Sequence, residues 1–144
     1  MAFASTPRMF LVDTNVVSEF RKGIKANPGV RRFREAVEDT DVHLCVQTIG
    51  EIRSGIESVK RRGNTTHSEK LEVWLDKIIE EYGGRILSFD AECAQVWGKL
   101  MSADGQNPVD KQIASIGLIY GLTVVTRDVG HFAGTGVSLN NPFL

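Results

Sequence analysis

Met9-Phe10-Leu11-Val12-Asp13-Thr14-Asn15-Val16-Val17-Ser18-Glu19 begins with four apolar residues and then turns polar. Such a run is too short for an ordinary helix and suits a short strand buried on both faces. It ends in a carboxylate, after which Thr14 or Asn15 can cap a helix. Open α/β sheets bind ligands at the carboxyl ends of their strands, and Asp13 falls at such an end. Read alone, Asp13 is one more cap or turn residue. Three later carboxylates change that reading.

Upstream, residues 1–8 lack the long apolar core of a signal peptide. Met9 is a candidate start, and residues 1–8 are expected to be a short extension outside the fold. Downstream, Val16, Val17 and Phe20 predict a short helix stopping near Gly23. Asn27-Pro28 is a cap followed by proline, starting a second helix that runs to about Asp39 with Arg31, Arg32 and Arg34 on its exposed side. Val42–Val46 is predicted as a buried strand in which His43 is a satisfied or half-exposed residue. Gln47 or Thr48 is expected to cap a third helix carrying Ile49, Ile52, Ile56 and Val59. Glu51 then falls in its first turn, where the helix dipole favours an anion. Gly55 lowers helix propensity and invites a packing explanation. Lys60-Arg61-Arg62-Gly63-Asn64 is read as an exposed basic loop.

Leu71, Trp74, Leu75, Ile78, Ile79 and Tyr82 predict the chain's strongest amphipathic helix, closed by Gly83-Gly84. Arg85–Phe89 is a further strand. Asp90 caps a helix whose inner face would carry Cys93, Ala94, Trp97, Leu100 and Met101. Asn107-Pro108 starts a last helix with Asp110 in its first turn. Asp110 shares a stripe with Ile113, Ala114, Gly117 and Leu118, so its carboxylate must be paired, metal-bound or open to a cleft. Leu122–Thr126 is a buried strand with Arg127-Asp128 at its carboxyl end, and a short edge strand is expected near Val137–Leu139.

Alternating strands and helices imply an α/β fold: a central parallel sheet of four to five strands with helices on both faces, one domain across 1–144. Composition is ordinary for a globular chain, 42% hydrophobic and 24% charged, with a net charge of −1 that excludes a uniformly basic nucleic-acid binder. Residues 1–62 carry a net +3 and residues 63–144 a net −4, so positive charge is clustered. No apolar run approaches the ~20 residues of a bilayer span. Cys45 and Cys93 form no metal cluster and are read as buried thiols of a reducing cytoplasm.

Asp13, Glu51, Asp110 and Asp128 should therefore converge at one end of the sheet. Carboxylates so placed repel one another and raise their own pKa values. A hard divalent cation, Mg²⁺ or Mn²⁺, resolves the conflict and suits phosphodiester hydrolysis. No Gly-x-Ser-x-Gly, Cys–His pair or Gly-rich phosphate loop competes, and His43, His67 and His131 lack metal-ligand spacing.

The segments Phe10–Glu19, Thr48–Ile56, Pro108–Ala114 and Val124–Asp128 together make the chain resemble a PIN-domain ribonuclease, and within that family the VapC or FitB-like toxins of toxin–antitoxin pairs. The resemblance spans Met9 to Phe143. It implies a three-layer α/β/α fold and a cytoplasmic Mg²⁺- or Mn²⁺-dependent endoribonuclease. It also implies a homodimer, held inactive by a small antitoxin, with promoter DNA bound only through that antitoxin. It makes Asp13, Glu51, Asp110 and Asp128 the metal-binding and catalytic acids, with Thr14, Asn15 and Thr126 supporting them. Arg21, Lys22 and Arg53 are candidate RNA contacts. One position departs from the family pattern: His131 stands where a further acid is common, so Asp128 is taken as the fourth acid. A PIN-like module that binds RNA or protein without cleavage is the alternative. A haloacid-dehalogenase-type phosphatase ranks last, because it needs a second Asp where Asn15 stands.

Overall fold

The computed structural model describes residues 9–144, and the expected extension 1–8 lies outside them. Five short strands form one sheet: β1 (Phe10–Val12), β2 (Val42–Cys45), β3 (Ile86–Leu87), β4 (Thr123–Val125) and β5 (Leu139–Asn140). Their order is β3-β2-β1-β4-β5, and every pairing is parallel. Six helices make the crossovers: α1 (Thr14–Phe20), α2 (Pro28–Ala36), α3 (Val46–Arg61), α4 (Thr65–Tyr82), α5 (Ala91–Ala103) and α6 (Pro108–Tyr120). The expected parallel α/β architecture is the observed one.

The two-residue period of the strands divides the core. Phe10, Val12, Val42, Leu44 and Val125 face α1 to α4, where they meet Val16, Val30, Ile56 and Leu75. Leu11, Cys45 and Val124 face the other way, against Cys93, Ile113, Ile116 and Phe132. Because both faces are covered, the central strand β1 is an unbroken apolar run rather than an alternating one. His43 is buried on this sheet and is satisfied through Nδ1, 3.3 Å from the Asp41 carbonyl.

Several boundaries differ from the sequence reading. Helix α2 stops at Ala36, because Val37 turns to an extended backbone from which it still packs on the core, and a 3-10 turn spans Asp39–Asp41. Helix α3 starts directly off β2 with Cys45 as its N-cap, so neither Gln47 nor Thr48 caps it. The Thr48 hydroxyl is instead buried, 3.8 Å from Cys45 Sγ. Glu51 is consequently the sixth helical residue, one turn beyond the position where the dipole acts on it. The basic stretch is exposed as expected but begins inside the helix: α3 runs to Arg61, Arg62-Gly63 form a turn, and Asn64 already caps α4 by accepting from His67 N–H at 3.2 Å. On α5 only Cys93 is buried; Trp97, Leu100 and Met101 are half-covered and Ala94 is exposed.

Candidate active site

Asp13 does cap α1: its Oδ1 accepts from Thr14 N–H at 2.9 Å. It is 5% exposed, and its second oxygen is held by the Thr126 hydroxyl at 2.8 Å and by Asn15 Nδ2 at 3.3 Å. Strand pairing delivers these groups. Asp13 N–H donates to Val125 carbonyl across β1 and β4, so the residues leaving the two strands emerge side by side. Asn15 Nδ2 also lies 3.3 Å from Asp128 Oδ2, and its carbonyl accepts from Arg127 N–H at 3.1 Å. Thr126 Oγ1 completes the arrangement by accepting from Asp128 N–H at 3.0 Å. Asn15 and Thr126 thus join the two strand-end acids.

Glu51 reaches this group from α3 through Thr14, whose hydroxyl donates to its Oε1 at 3.0 Å. Asp110, on the first turn of α6, is half-buried and lies 3.0 Å from His131 Nδ1 through its Oδ2. The expectation of an inward carboxylate resolves as a cleft position rather than a core one. Gln47 Nε2 donates to Gln112 Oε1 at 3.3 Å and ties together the two helices that carry Glu51 and Asp110. Lys111, although adjacent to Asp110 and buried, turns its amine to the Gln106 carbonyl and the Asp104 carboxylate rather than into the cleft.

Electrostatics express the crowding. Burial raises the pKa of Asp13, opposed by hydrogen bonds from Thr126 and Thr14, and the charges of Asp110 and Asp128 raise it further. Glu51 is raised by desolvation of its carboxyl end, against the Thr14 hydrogen bond, and again by Asp13 and Asp110. Asp110 is raised by burial and by Asp128, with His131 opposing. The donors on offer are four carboxylates with hydroxyl and carboxamide oxygens, a set that suits a hard divalent cation. Among the described residues no three His, Cys, Asp or Glu side chains form a closed ligand cluster. Thr14, Asn15 and Thr126 hold the acids in an open arrangement.

The candidate RNA contacts divide. Arg53 is committed to Glu72 by two hydrogen bonds of 2.6 and 2.8 Å, which tie α3 to α4. Lys22 pairs with Glu19 at 2.9 Å. Arg21 is exposed and stands over the Trp74 ring, 5.5 Å from its centroid. Three features escaped the sequence reading: the His131–Asp110 contact, the Gln47–Gln112 tie and the direction of Lys111. Only the second had a signal, since Gln47 precedes Glu51 by one helical turn.

Comparison with known proteins gives a consistent result. The PIN domain family matches residues 10–136. The chain is 32% identical over 142 residues to plasmid stability protein StbB of Pseudomonas syringae pv. tomato, and equally so to toxin FitB of Neisseria gonorrhoeae. Each alignment covers 94% of this chain and 99% of the relative. The crystal structure of FitAcB from Neisseria gonorrhoeae superposes with a TM-score of 0.81 at 31% identity, covering 93% of this chain and 98% of that one.

Proposed function

The chain belongs to the PIN-domain family, and from that premise we propose that it is a Mg²⁺- or Mn²⁺-dependent endoribonuclease acting as the toxin of a toxin–antitoxin pair. The observation that carries the reading is the oxygen-rich cleft itself. Burial and mutual repulsion raise Asp13, Glu51 and Asp110, and no lysine or arginine is hydrogen-bonded to any of these carboxylates among the described residues. Likeness to toxin FitB over nearly the whole chain supports the toxin role.

Asp13, Glu51, Asp110 and Asp128 would hold the cation. When bound, it supplies the positive charge that activates a water and offsets charge building on the phosphodiester. The protein's own part is to aim and to keep aim. Thr126 and Thr14 fix the two Asp13 oxygens, and Asn15 sets the separation of Asp13 from Asp128. The free carboxylate lone pairs can also accept the proton lost by the attacking water as the P–O bond to the leaving oxygen breaks. His131, with Nδ1 turned to Asp110, steadies that acid from a half-exposed ring.

A cytoplasmic location, a small cognate antitoxin and a homodimer belong to the same reading. DNA would be met only through the antitoxin. No helix of the described residues is long and apolar enough to cross a membrane. The test is direct: purified protein with Mg²⁺ or Mn²⁺ should cut RNA, and both EDTA and Asp13→Asn should abolish cutting. Cleavage that survives both treatments overturns the proposal.

A further inference from the structure

Beside the carboxylate cleft, between α1, α3 and α4, lies a second feature: a cavity of about 250 Å³. Thr14 and Glu51 form part of its wall, so it opens from the same cleft. Its floor is apolar, built from Ile52, Ile56, Val59 and Leu71. Ser18, Arg21, His67 and Trp74 add polar and aromatic groups at its wall. Arg21 and Trp74 also line the neighbouring cavity, so this stacked pair stands between the two.

Gly55 is the informative residue. A glycine inside a helix lowers its stability, and close packing is the usual compensation. None is found here, because a Cβ built on Gly55 meets nothing within 4 Å. What the missing side chain leaves is space, one turn along α3 from Glu51 and inside the cavity.

We propose that this cavity receives a nucleobase of the RNA strand next to the cleaved phosphodiester, stacked on Trp74, and so selects the nucleotide that flanks the cut. The inference rests on the ribonuclease reading above and names a specificity site for it. A base has apolar faces that suit the floor, whereas ribose and phosphate need polar partners. The volume falls just under that of cavities for drug-sized ligands, about 300–1,000 Å³, so it admits one planar ring system and not a paired stem. Single-stranded RNA is gripped by aromatic rings together with cations that track its backbone, and Trp74 with Arg21 offers one of each. Arg21 also brings positive charge to a strand that must otherwise approach four carboxylates.

The test uses the full chain carrying Asp13→Asn, which keeps RNA intact, and Trp97→Phe, which leaves Trp74 as the fluorescent tryptophan. The probes are short single-stranded oligoribonucleotides differing in one central base, titrated with Mg²⁺ present. Binding should quench Trp74, with affinities differing severalfold among the four bases. Gly55→Leu should remove the quenching and weaken binding by about tenfold. Should Gly55→Leu fail to melt cooperatively, Trp74→Ala takes its place, its binding read by the fluorescence anisotropy of end-labelled oligoribonucleotides of the same sequences, and it should flatten the ranking of the bases. Unchanged affinity and ranking in the folded variant overturn the inference. So does unchanged RNA binding with loss of capture by the antitoxin, which would give the cavity to a protein side chain. If the unsubstituted protein never cuts RNA, the ribonuclease reading falls on that result alone, while the titration still judges the cavity.

Discussion

Between Asp13 and Asp128 stands a single carboxamide, whose Nδ2 lies 3.3 Å from a carboxylate oxygen of each. Asn15→Ala removes that joint without touching either acid. Because groups that orient metal ligands typically matter 10- to 100-fold, RNA cleavage should fall by about that factor. Thermal stability should fall by only about 1 kcal/mol, the usual net worth of such hydrogen bonds. Parallel rate and melting measurements check both, and an unchanged rate sinks the positioning role. The acids themselves predict a pH effect. Burial raises the folded-state pKa of Asp13, Glu51 and Asp110 above the ordinary 3.8 for Asp and 4.5 for Glu, so the folded chain holds these protons more tightly than the unfolded one. Their contribution to stability is therefore full below the ordinary values and is lost as pH rises through the raised ones. Asp13→Asn keeps a capping oxygen and removes one repelling charge. In chelator at pH 7 it should melt above the unsubstituted protein, by about 2–4 °C for each kcal/mol relieved, with the gap closing as pH falls towards 4. Calorimetry across that range is the check, and a lower melting point at pH 7 refutes the repulsion. Asp13 and Asp110 were legible because a carboxylate ending an apolar strand, or sharing a helix's apolar stripe, is conspicuous in one dimension, whereas Glu51 was singled out for a first-turn position that it does not occupy. The His131–Asp110 contact was not, since it depends on how the 3-10 turn after β4 folds back across α6.

Two glycines on two helices illustrate why element-level reading succeeds in kind and fails in detail. Gly55 drew attention because it lowers the helix propensity of α3 and invited a packing explanation, yet its missing Cβ faces open space. Gly117 passed as one member of an apolar stripe on α6, yet a Cβ there would lie 2.8 Å from Val137 Cγ2 and 3.2 Å from Val124 Cγ2. Helix α6 needs that glycine to lie close on β4, and no pattern along the helix reveals the distance to a strand. Gly117→Ala should accordingly destabilise the fold by about 1–3 kcal/mol through overpacking, read as a lowered urea midpoint. A midpoint within error of the parent's would mean that α6 can lift without strain. Helix ends were missed for a similar reason. Periodicity locates the apolar face of α3, but the cap at Cys45 comes from β2 running into the helix with no loop between. The tie between α3 and α4 is surface electrostatics: Arg53 and Lys60 hold the Glu72 carboxyl down at about 2. That stabilisation is full above 4.5 and is lost as pH falls towards 2. Because these groups are exposed to salt, Glu72→Gln should lower the melting point slightly in dilute buffer and not at 1 M NaCl, where the Debye length is about 3 Å.

For the molecule as a whole, the parallel sheet with helices on both faces was legible from apolar runs too short to be helices, whereas the strand order β3-β2-β1-β4-β5 was not, because it depends on which edge each crossover returns to. The strand-end acids derive from the same runs, so the fold and the candidate site became legible together. What the chain cannot reveal along its length is which covered-looking faces stay uncovered. Helix α5 is the clearest instance. Its stripe was expected to be core, but Trp97, Leu100 and Met101 are only half-covered, and Leu118 and Tyr120 on α6 are exposed. Trp97 is anchored, with Nε1 donating to the Pro108 carbonyl at 2.9 Å, so it pins α5 to the start of α6, two residues before Asp110. A second copy of the chain burying this stripe would rigidify the helix pair that presents Asp110. The mass in solution should then be twice 15.9 kDa. Met101→Lys, which places a charge on the stripe without opening the core, should shift the protein to monomer and weaken Mn²⁺ binding together. Light scattering after size exclusion gives the first quantity and calorimetry the second. A parent protein that is monomeric at tens of micromolar refutes the dimer, and a monomeric Met101→Lys with undiminished Mn²⁺ affinity would separate assembly from the carboxylate cleft.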